Sequence, residues 1–184
     1  MYYSTLIVDE FPWCQGFEDD DGNFNVAGRL PTWEHGEPNN TNISSAASGD
    51  KCWVTDLNGD YNNDELSSVQ SVEFDLTALV DPMVRFQVNH DIETTDDGAT
   101  FQLSADSGFT WTTLGSASSP SPWYNSSTIS SFNSLNSSHG WTGSSSGWSD
   151  MRHSLLSYVA DTSVFFRYVI SADGAVTEEG FAFD

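Results

Sequence analysis

The segment Met83-Val84-Arg85-Phe86-Gln87-Val88-Asn89-His90 alternates strictly, with Val84, Phe86 and Val88 on one side and Arg85, Gln87 and Asn89 on the other. A period of two fits a half-buried β-strand and no helix. Shorter pieces repeat the pattern: Ser71–Asp75 turns Val72 and Phe74 inward, and Ala99–Ser104 does the same with Phe101 and Leu103. Pro82 suits the start of a strand and not its middle. Asp106-Ser107-Gly108 breaks the pattern before Phe109-Thr110-Trp111, which reads as a hairpin. Val164–Ile170 is apolar on both faces and is expected to be central in its sheet. Cys52–Thr55 is a short strand, and Phe181 and Phe183 share one face near the end. Apart from a weak stripe near Leu155–Val159, no window of three helical turns has an apolar face. About nine to eleven short strands with polar turns imply an all-β, antiparallel β-sandwich of the jelly-roll type. A β-propeller is the rival, but no repeat of blade length occurs. The 184 residues fit a single domain, 1–184, expected to be a piece of a larger extracellular protein.

Two stretches lie outside this pattern. Residues 29–49 hold Pro31, Pro38, several Asn and Ser, and Trp33, and read as a long loop anchored by that tryptophan. Residues 115–147 are rich in Ser, Gly and Asn but carry Trp123, Tyr124, Phe132, Leu135 and Trp141. They read as an excursion packed against the sandwich. Trp33, Trp123, Tyr124, Trp141 and Trp148 are the candidate ligand-binding aromatics: a flat exposed row would stack on sugar rings, whereas inward rings would be core pegs. An exposed patch between Trp123 and Trp148 is expected.

The charge balance excludes several partners. There are 27 acidic and 5 basic residues, a formal net charge of −22. Too few cations exist to displace counterions from a phosphate backbone, so nucleic acid is excluded, and an anionic membrane surface is an equally poor partner. No transmembrane segment occurs. The stretch from Met1 does not read as a signal peptide, so any export signal is expected elsewhere. Cys14 and Cys52 form an even pair in an export-like composition and are expected to be bonded, for ~3–4 kcal/mol in the loop-entropy model.

Catalytic constellations are weak. His35, His90, His139 and His153 lack metal-ligand spacing, and no nucleophile elbow is present, so the chain is not expected to be an enzyme. Calcium suits the inventory better, because it takes six to eight oxygen ligands. Glu18–Asn23, Asp60–Glu65 and Asp91–Asp97 supply carboxylates and amides, although none has the full EF-hand spacing. The alternative is a solvated acidic surface screened by salt.

Ser104-Ala105-Asp106-Ser107-Gly108-Phe109-Thr110-Trp111 resembles an Asp-box, Ser-x-Asp-x-Gly-x-Thr-Trp, over all eight positions. A wider set runs in order along the chain: Phe17-Glu18, Trp33-Glu34-His35-Gly36, Gly59–Glu65, Phe74-Asp75-Leu76, Asp91-Ile92-Glu93 and Glu179-Gly180-Phe181-Ala182-Phe183-Asp184. Together these resemble the bacterial MAM-like, concanavalin-like jelly-roll accessory domains of secreted peptidases, glycoside hydrolases and adhesins. The resemblance implies one cation site at Glu18, Asp50 and Asp184, although this chain stops at Asp184 where such domains continue. Asp20 joins that set, with Asp19, Asp21, Asn23, Asp64 and Glu65 as substitutes. A second site is expected at Asp91, Glu93 and Glu179.

The function expected on this basis is a non-catalytic, calcium-binding adhesion or protein-interaction module, secreted or on a bacterial cell surface. The alternative is a carbohydrate-binding module appended to a secreted polysaccharide-active enzyme or peptidase. Partners are then a cell-surface protein or polysaccharide and other domains of the parent chain.

Overall fold

The computed structural model describes residues 6–119 and 123–184. Two antiparallel sheets face each other. The first contains β7 (Met83–Ile92), β13 (Gly180–Phe183), β4 (Cys52–Thr55) and β3 (Trp33–Gly36) in that order, with β10 (Gly143–Ser144) and β11 (Ser149–Ser154) both on the free edge of β7. The second runs β2 (Asn25–Arg29), β5 (Leu66–Gln70), β12 (Phe165–Ser171), β8 (Gly98–Ser104), β9 (Thr112–Thr113). A small parallel pair joins β1 (Ile7–Val8) to β6 (Glu73–Phe74). This is the sandwich the alternation implies, and β12 is central, between β5 and β8. Among the described residues no helix is long and apolar enough to cross a membrane.

Aromatic rings fill the space between the sheets. Tyr168 of β12 stacks on Phe183 of β13, ring centroids 3.6 Å apart, and Phe86 of β7 meets Phe101 of β8 at 4.8 Å. Phe101 lies parallel to Phe166 on the neighbouring strand at 5.5 Å. Large rings in such contact supply more burial per residue than aliphatic groups, which is how a polar chain builds a core.

Residues 29–49 are not one loop. Trp33 and His35 point inward from β3, and His35 Nε2–H donates to the Phe17 carbonyl at 2.7 Å. β2 is an edge strand exposed along its length, so no apolar pattern marks it; it forms because β5 offers a backbone ladder. Gly28 there sits so close that a Cβ would lie 2.4 Å from the Leu66 carbonyl oxygen. β5 also hid from the alternation. Its buried serines flank Glu65, which is fully enclosed and accepts from Thr32 N–H (3.0 Å), Thr32 Oγ1–H (2.8 Å), Asn62 N–H (3.1 Å) and Ser67 Oγ–H.

What remains as loop, residues 37–51, folds over the outer face of the first sheet. Ile43 and Ala46 pack on Cys52, Val54 and Ala182, with Leu57 and Trp148 at the margin, forming a second small core. This placement corrects the expected disulfide. Cys52 points outward from β4 into that second core and is fully buried, whereas Cys14 is exposed, and both thiols are free. Burial pushes the Cys52 thiol up to about 12, with the nearby Asp184 and Glu18 charges adding to the effect.

The native protein should therefore react with a thiol reagent at Cys14 only, and at Cys52 after denaturation. Intact mass should not change on reduction; a gain of two daltons would restore the bond.

Candidate functional site

Two pieces of the fold bring chemistry together. At one end of the sandwich, Glu93 follows β7, Asp97 precedes β8 and Asp173 follows β12. Pairing of Ser171 with Gly98 places the last two side by side. One oxygen from each of the three carboxylates lies within 4.8 Å of the others. Asp97 is fully buried; its Oδ1 accepts the Asp173 N–H at 2.6 Å and its Oδ2 accepts the Tyr61 hydroxyl at 2.9 Å. Tyr61 Oη in turn accepts the Glu93 N–H at 3.1 Å. Glu93 Oε2 is enclosed with no hydrogen-bond partner among the described residues.

The electrostatics follow from this crowding. Burial pushes the Asp97 carboxyl up to about 6, against the pull of its two hydrogen bonds, and the Asp173 and Glu93 charges push the same way. Glu93 is raised by desolvation first and then by Asp173, Asp96 and Glu178. Carboxylates held this close repel one another unless a proton or a cation sits between them. All three donors are hard oxygens and one has an unused atom, so the set fits a divalent cation. His and Cys, the donors a transition metal favours, are absent from the set.

Of the residues assigned to the two expected metal sites, only Glu93 belongs here; Asp97 closes the expected Asp91–Asp97 stretch, and Asp173 lies outside every expected stretch. Glu179 instead receives the loop over the first sheet: its carboxylate accepts Thr41 N–H at 2.9 Å, Asn42 N–H at 2.8 Å and Ile43 N–H at 2.7 Å. Asp91 Oδ2 accepts Asn42 Nδ2–H at 2.7 Å in the same place. Glu18 Oε1 accepts Asp50 N–H (3.0 Å) and Lys51 N–H (2.8 Å), and Asp184 Oδ2 accepts Ser48 N–H (2.7 Å). Gly49 makes this turn possible: its φ is +60°, and a Cβ there would lie 2.3 Å from the Glu18 carboxyl carbon. Glu18 and Asp184 are thus brought to one loop, close enough for the Glu18 charge to help raise Asp184, after burial as the main cause. Asp50 is exposed beside them, while Asp20 turns away to accept Gly22 N–H (2.8 Å) and Gln15 Nε2–H (2.9 Å).

The candidate aromatics are core pegs, which corrects the expected exposed patch. Trp33, Trp123, Tyr124 and Trp141 are buried, Trp141 at 1% exposure. Their polar ends stitch the 115–147 excursion inward: Trp123 Nε1–H donates to Leu114 O (2.7 Å), Trp141 Nε1–H to Trp123 O (2.9 Å) and Tyr124 Oη–H to Phe101 O (2.9 Å). Trp148 is half-buried and donates to Ser45 O at 3.0 Å, holding the loop over the second core. A loop tryptophan reads the same in sequence whether its ring faces water or a neighbouring sheet.

The second piece is the outer face of the five-stranded sheet. Asn25, Gln70, Arg167, Gln102 and Thr113 stand in register across all five strands. They lie opposite the core-facing Val69, Phe166, Tyr168, Phe101 and Leu103. Arg167 Nε and Nη2 donate to Gln102 Oε1 at 2.8 and 2.6 Å, and its guanidinium lies 4.2 Å from the centre of the Trp111 ring. The Ser104–Trp111 hairpin sets that ring. Asp106 accepts Thr110 Oγ1–H (2.6 Å), Thr110 N–H (2.8 Å) and Ser104 Oγ–H (2.7 Å), bonds that hold its carboxyl down at about 2. Trp111 Nε1–H then donates to Gly108 O at 3.1 Å. Sequence reasoning saw Trp111 only as hairpin packing; the register that aligns the row lies in pairings no single strand reveals.

Between the sheets at the N-terminal side a cleft of about 890 Å³ opens, lined by Trp13, Phe17, Phe74, Leu79, Phe86 and Tyr168, with Arg85 and Asp150 paired at 2.7 Å on its rim.

No protein-family model and no curated protein matches the chain. Among solved structures it is similar to TmCBM61 in complex with β-1,4-galactotriose (12% identity, 92% of this chain, 93% of that chain, TM-score 0.46). It is similar also to the K1 cleaved adhesin domain of Lys-gingipain from Porphyromonas gingivalis W83 (13%, 92% and 92%, TM-score 0.47). A third is the Endo-D glycoside hydrolase domain Spr0440 from Streptococcus pneumoniae R6 (13%, 87% of this chain but 20% of that chain, TM-score 0.45).

The raised Asp97 pKa gives a signed pH dependence. The folded state holds this proton up to about pH 6 and the unfolded state only to about pH 4. The stabilising contribution is therefore complete below about pH 4 and is lost as pH rises through 6. In a chelator, the melting temperature should fall across that window, and Asp97→Asn should flatten the fall relative to the parent. An unchanged slope in the variant would show that Asp97 titrates normally.

Proposed function

We propose that this chain is a non-catalytic accessory module of a bacterial secreted or cell-surface protein, and that it binds carbohydrate on the outer face of its five-stranded sheet. The row Asn25–Gln70–Arg167–Gln102–Thr113, with the Trp111 ring above it, carries this reading. The Asn25 and Gln70 amides, the Thr113 hydroxyl and the Arg167 guanidinium offer donors and acceptors at strand spacing, while the buried Gln102 positions the guanidinium, and an aromatic ring beside them suits the apolar face of a sugar. The resemblance to MAM-like accessory domains supports the extracellular setting. The non-catalytic reading is supported by the histidines, whose rings are spent on backbone groups. His35 and His90 donate to the Phe17 and Gly143 carbonyls, and His139 Nδ1 accepts the Ala117 N–H.

Calcium is assigned to Glu93, Asp97 and Asp173, where it would neutralise the acidic end of the sandwich and tie three connections together. At that position it acts on stability rather than on ligand contact. The rival position for the ion is Glu18, Asp50 and Asp184, implied by the resemblance, where burial and then the Glu18 charge raise Asp184.

At constant ionic strength and pH 7, calcium at about a hundred times its Kd should raise the melting temperature by roughly 5–10 °C over a chelator control. Asp97→Asn should lose that shift and Asp184→Asn should keep it. The reverse pattern would move the ion to the loop site, and no shift in the parent would remove calcium from the reading.

On a glycan array the parent should retain a subset of polysaccharides, and Trp111→Ala should lower affinity about tenfold or more, ~1.4 kcal/mol or above. Trp148→Ala should leave it unchanged. Retention of protein ligands with no glycan bound would return the chain to the adhesion reading.

A further inference from the structure

Arg167 is an anomaly in a chain with 27 acidic residues. It sits mid-strand in the central β12, and its row partners Gln70 and Gln102 are neutral. The residues next along the same face, Phe165 and Val169 on β12, Thr100 and Ser104 on β8 and Ser68 on β5, are neutral too. The one salt bridge among the described residues is Arg85–Asp150, so Arg167 has no carboxylate partner. Both of its bonded nitrogens converge on a single amide oxygen, Gln102 Oε1. Burial lowers its pKa to about 10, which leaves it fully charged at neutral pH.

A half-buried cation is normally met by a counter-charge, because hydrogen bonds to neutral groups replace only part of its lost hydration. The Trp111 face supplies some of the difference. The neutral neighbours on this face put no carboxylate beside the guanidinium, which keeps it available to an anion from outside. Held between a buried glutamine and an indole, it is also fixed in orientation, so little side-chain freedom is lost on binding.

Resting on the carbohydrate reading above, we infer that the preferred ligand is an anionic saccharide, with the Arg167 guanidinium meeting a sugar carboxylate or sulfate ester while Gln70, Asn25 and Trp111 meet the neutral part of the unit. The net charge of −22 opposes any polyanion at long range. At physiological salt the Debye length is about 8 Å, however, so a neutral neighbourhood around one cation sets the local potential.

The test is calorimetry of the whole chain at 0.15 M salt with four short oligosaccharides: oligogalacturonate, its neutral methyl ester, a sulfated galactan oligomer and an unmodified galactan oligomer. The parent should favour at least one anionic oligomer over its neutral counterpart by about tenfold or more, and the better of the two identifies carboxylate or sulfate as the group read. Arg167→Gln should bind the acid and its neutral counterpart equally, and Arg167→Lys, which keeps the charge but not the planar fork, should keep part of the preference. Thermal melts of both variants check that the sheet is intact. Equal affinity of the parent for anionic and neutral oligomers, or a preference that survives in Arg167→Gln, overturns the inference while leaving the carbohydrate reading standing. Binding of none of the four overturns the inference, and a blank glycan array alongside it overturns both.

Discussion

Irregular backbone must find acceptors for its N–H groups, and in this protein carboxylates supply many of them. Glu18 takes two N–H groups from residues 50 and 51, Glu179 takes three from residues 41–43, and Asp184 takes one from Ser48. Glu65 does the same for Thr32 and Asn62, and Asp106 for Thr110. An ionised acceptor makes a stronger bond than an amide oxygen, and a loop without a ladder needs such bonds most. Part of the acidity is therefore architectural. It lets residues 37–51 lie flat over the first sheet and close the second core, which a loop of serines and asparagines could not do by hydrophobic burial alone.

The same rule sorts the acids into two populations. Those that receive backbone N–H groups have their geometry fixed. Glu93, Asp97 and Asp173 also face one another: Asp97 and Asp173 each accept a backbone N–H, but one Glu93 oxygen is enclosed without a donor. Three carboxylates so close, with one oxygen lacking a donor, form a group that could hold a divalent cation.

The two sheets have divided the remaining work. The first is covered on its outside by the 37–51 loop and Trp148, so its outer face is core. The five-stranded sheet keeps a row of polar side chains in register, with Trp111 delivered onto it by a hairpin whose turn is locked by Asp106. That turn fixes one ring over one guanidinium, a contact that offsets part of the lost hydration of Arg167.

The sequence by itself determined the class of fold and the central strands. Alternation at Met83–His90 and Ala99–Ser104 and the two-sided apolar run at Val164–Ile170 are local properties, set by side-chain period and burial, and the structure keeps them as β7, β8 and β12. The turn chemistry of Ser104–Trp111 is equally local, since its bonds span four residues or fewer. Strands without such a signature were decided by the tertiary structure: β2 is exposed throughout, and β5 buries two adjacent serines, Ser67 bonding to Glu65. So were the partners of each acid and each aromatic. Glu179 reaches Thr41 across 138 positions, and Asp97 meets Asp173 across 76. Whether Trp141 faces water or Phe181, and whether Cys52 faces Cys14 or Ile43, depends on which face of which sheet comes to lie above it. Composition states how many carboxylates and rings the chain has, but their roles depend on distances that only the packed sandwich defines.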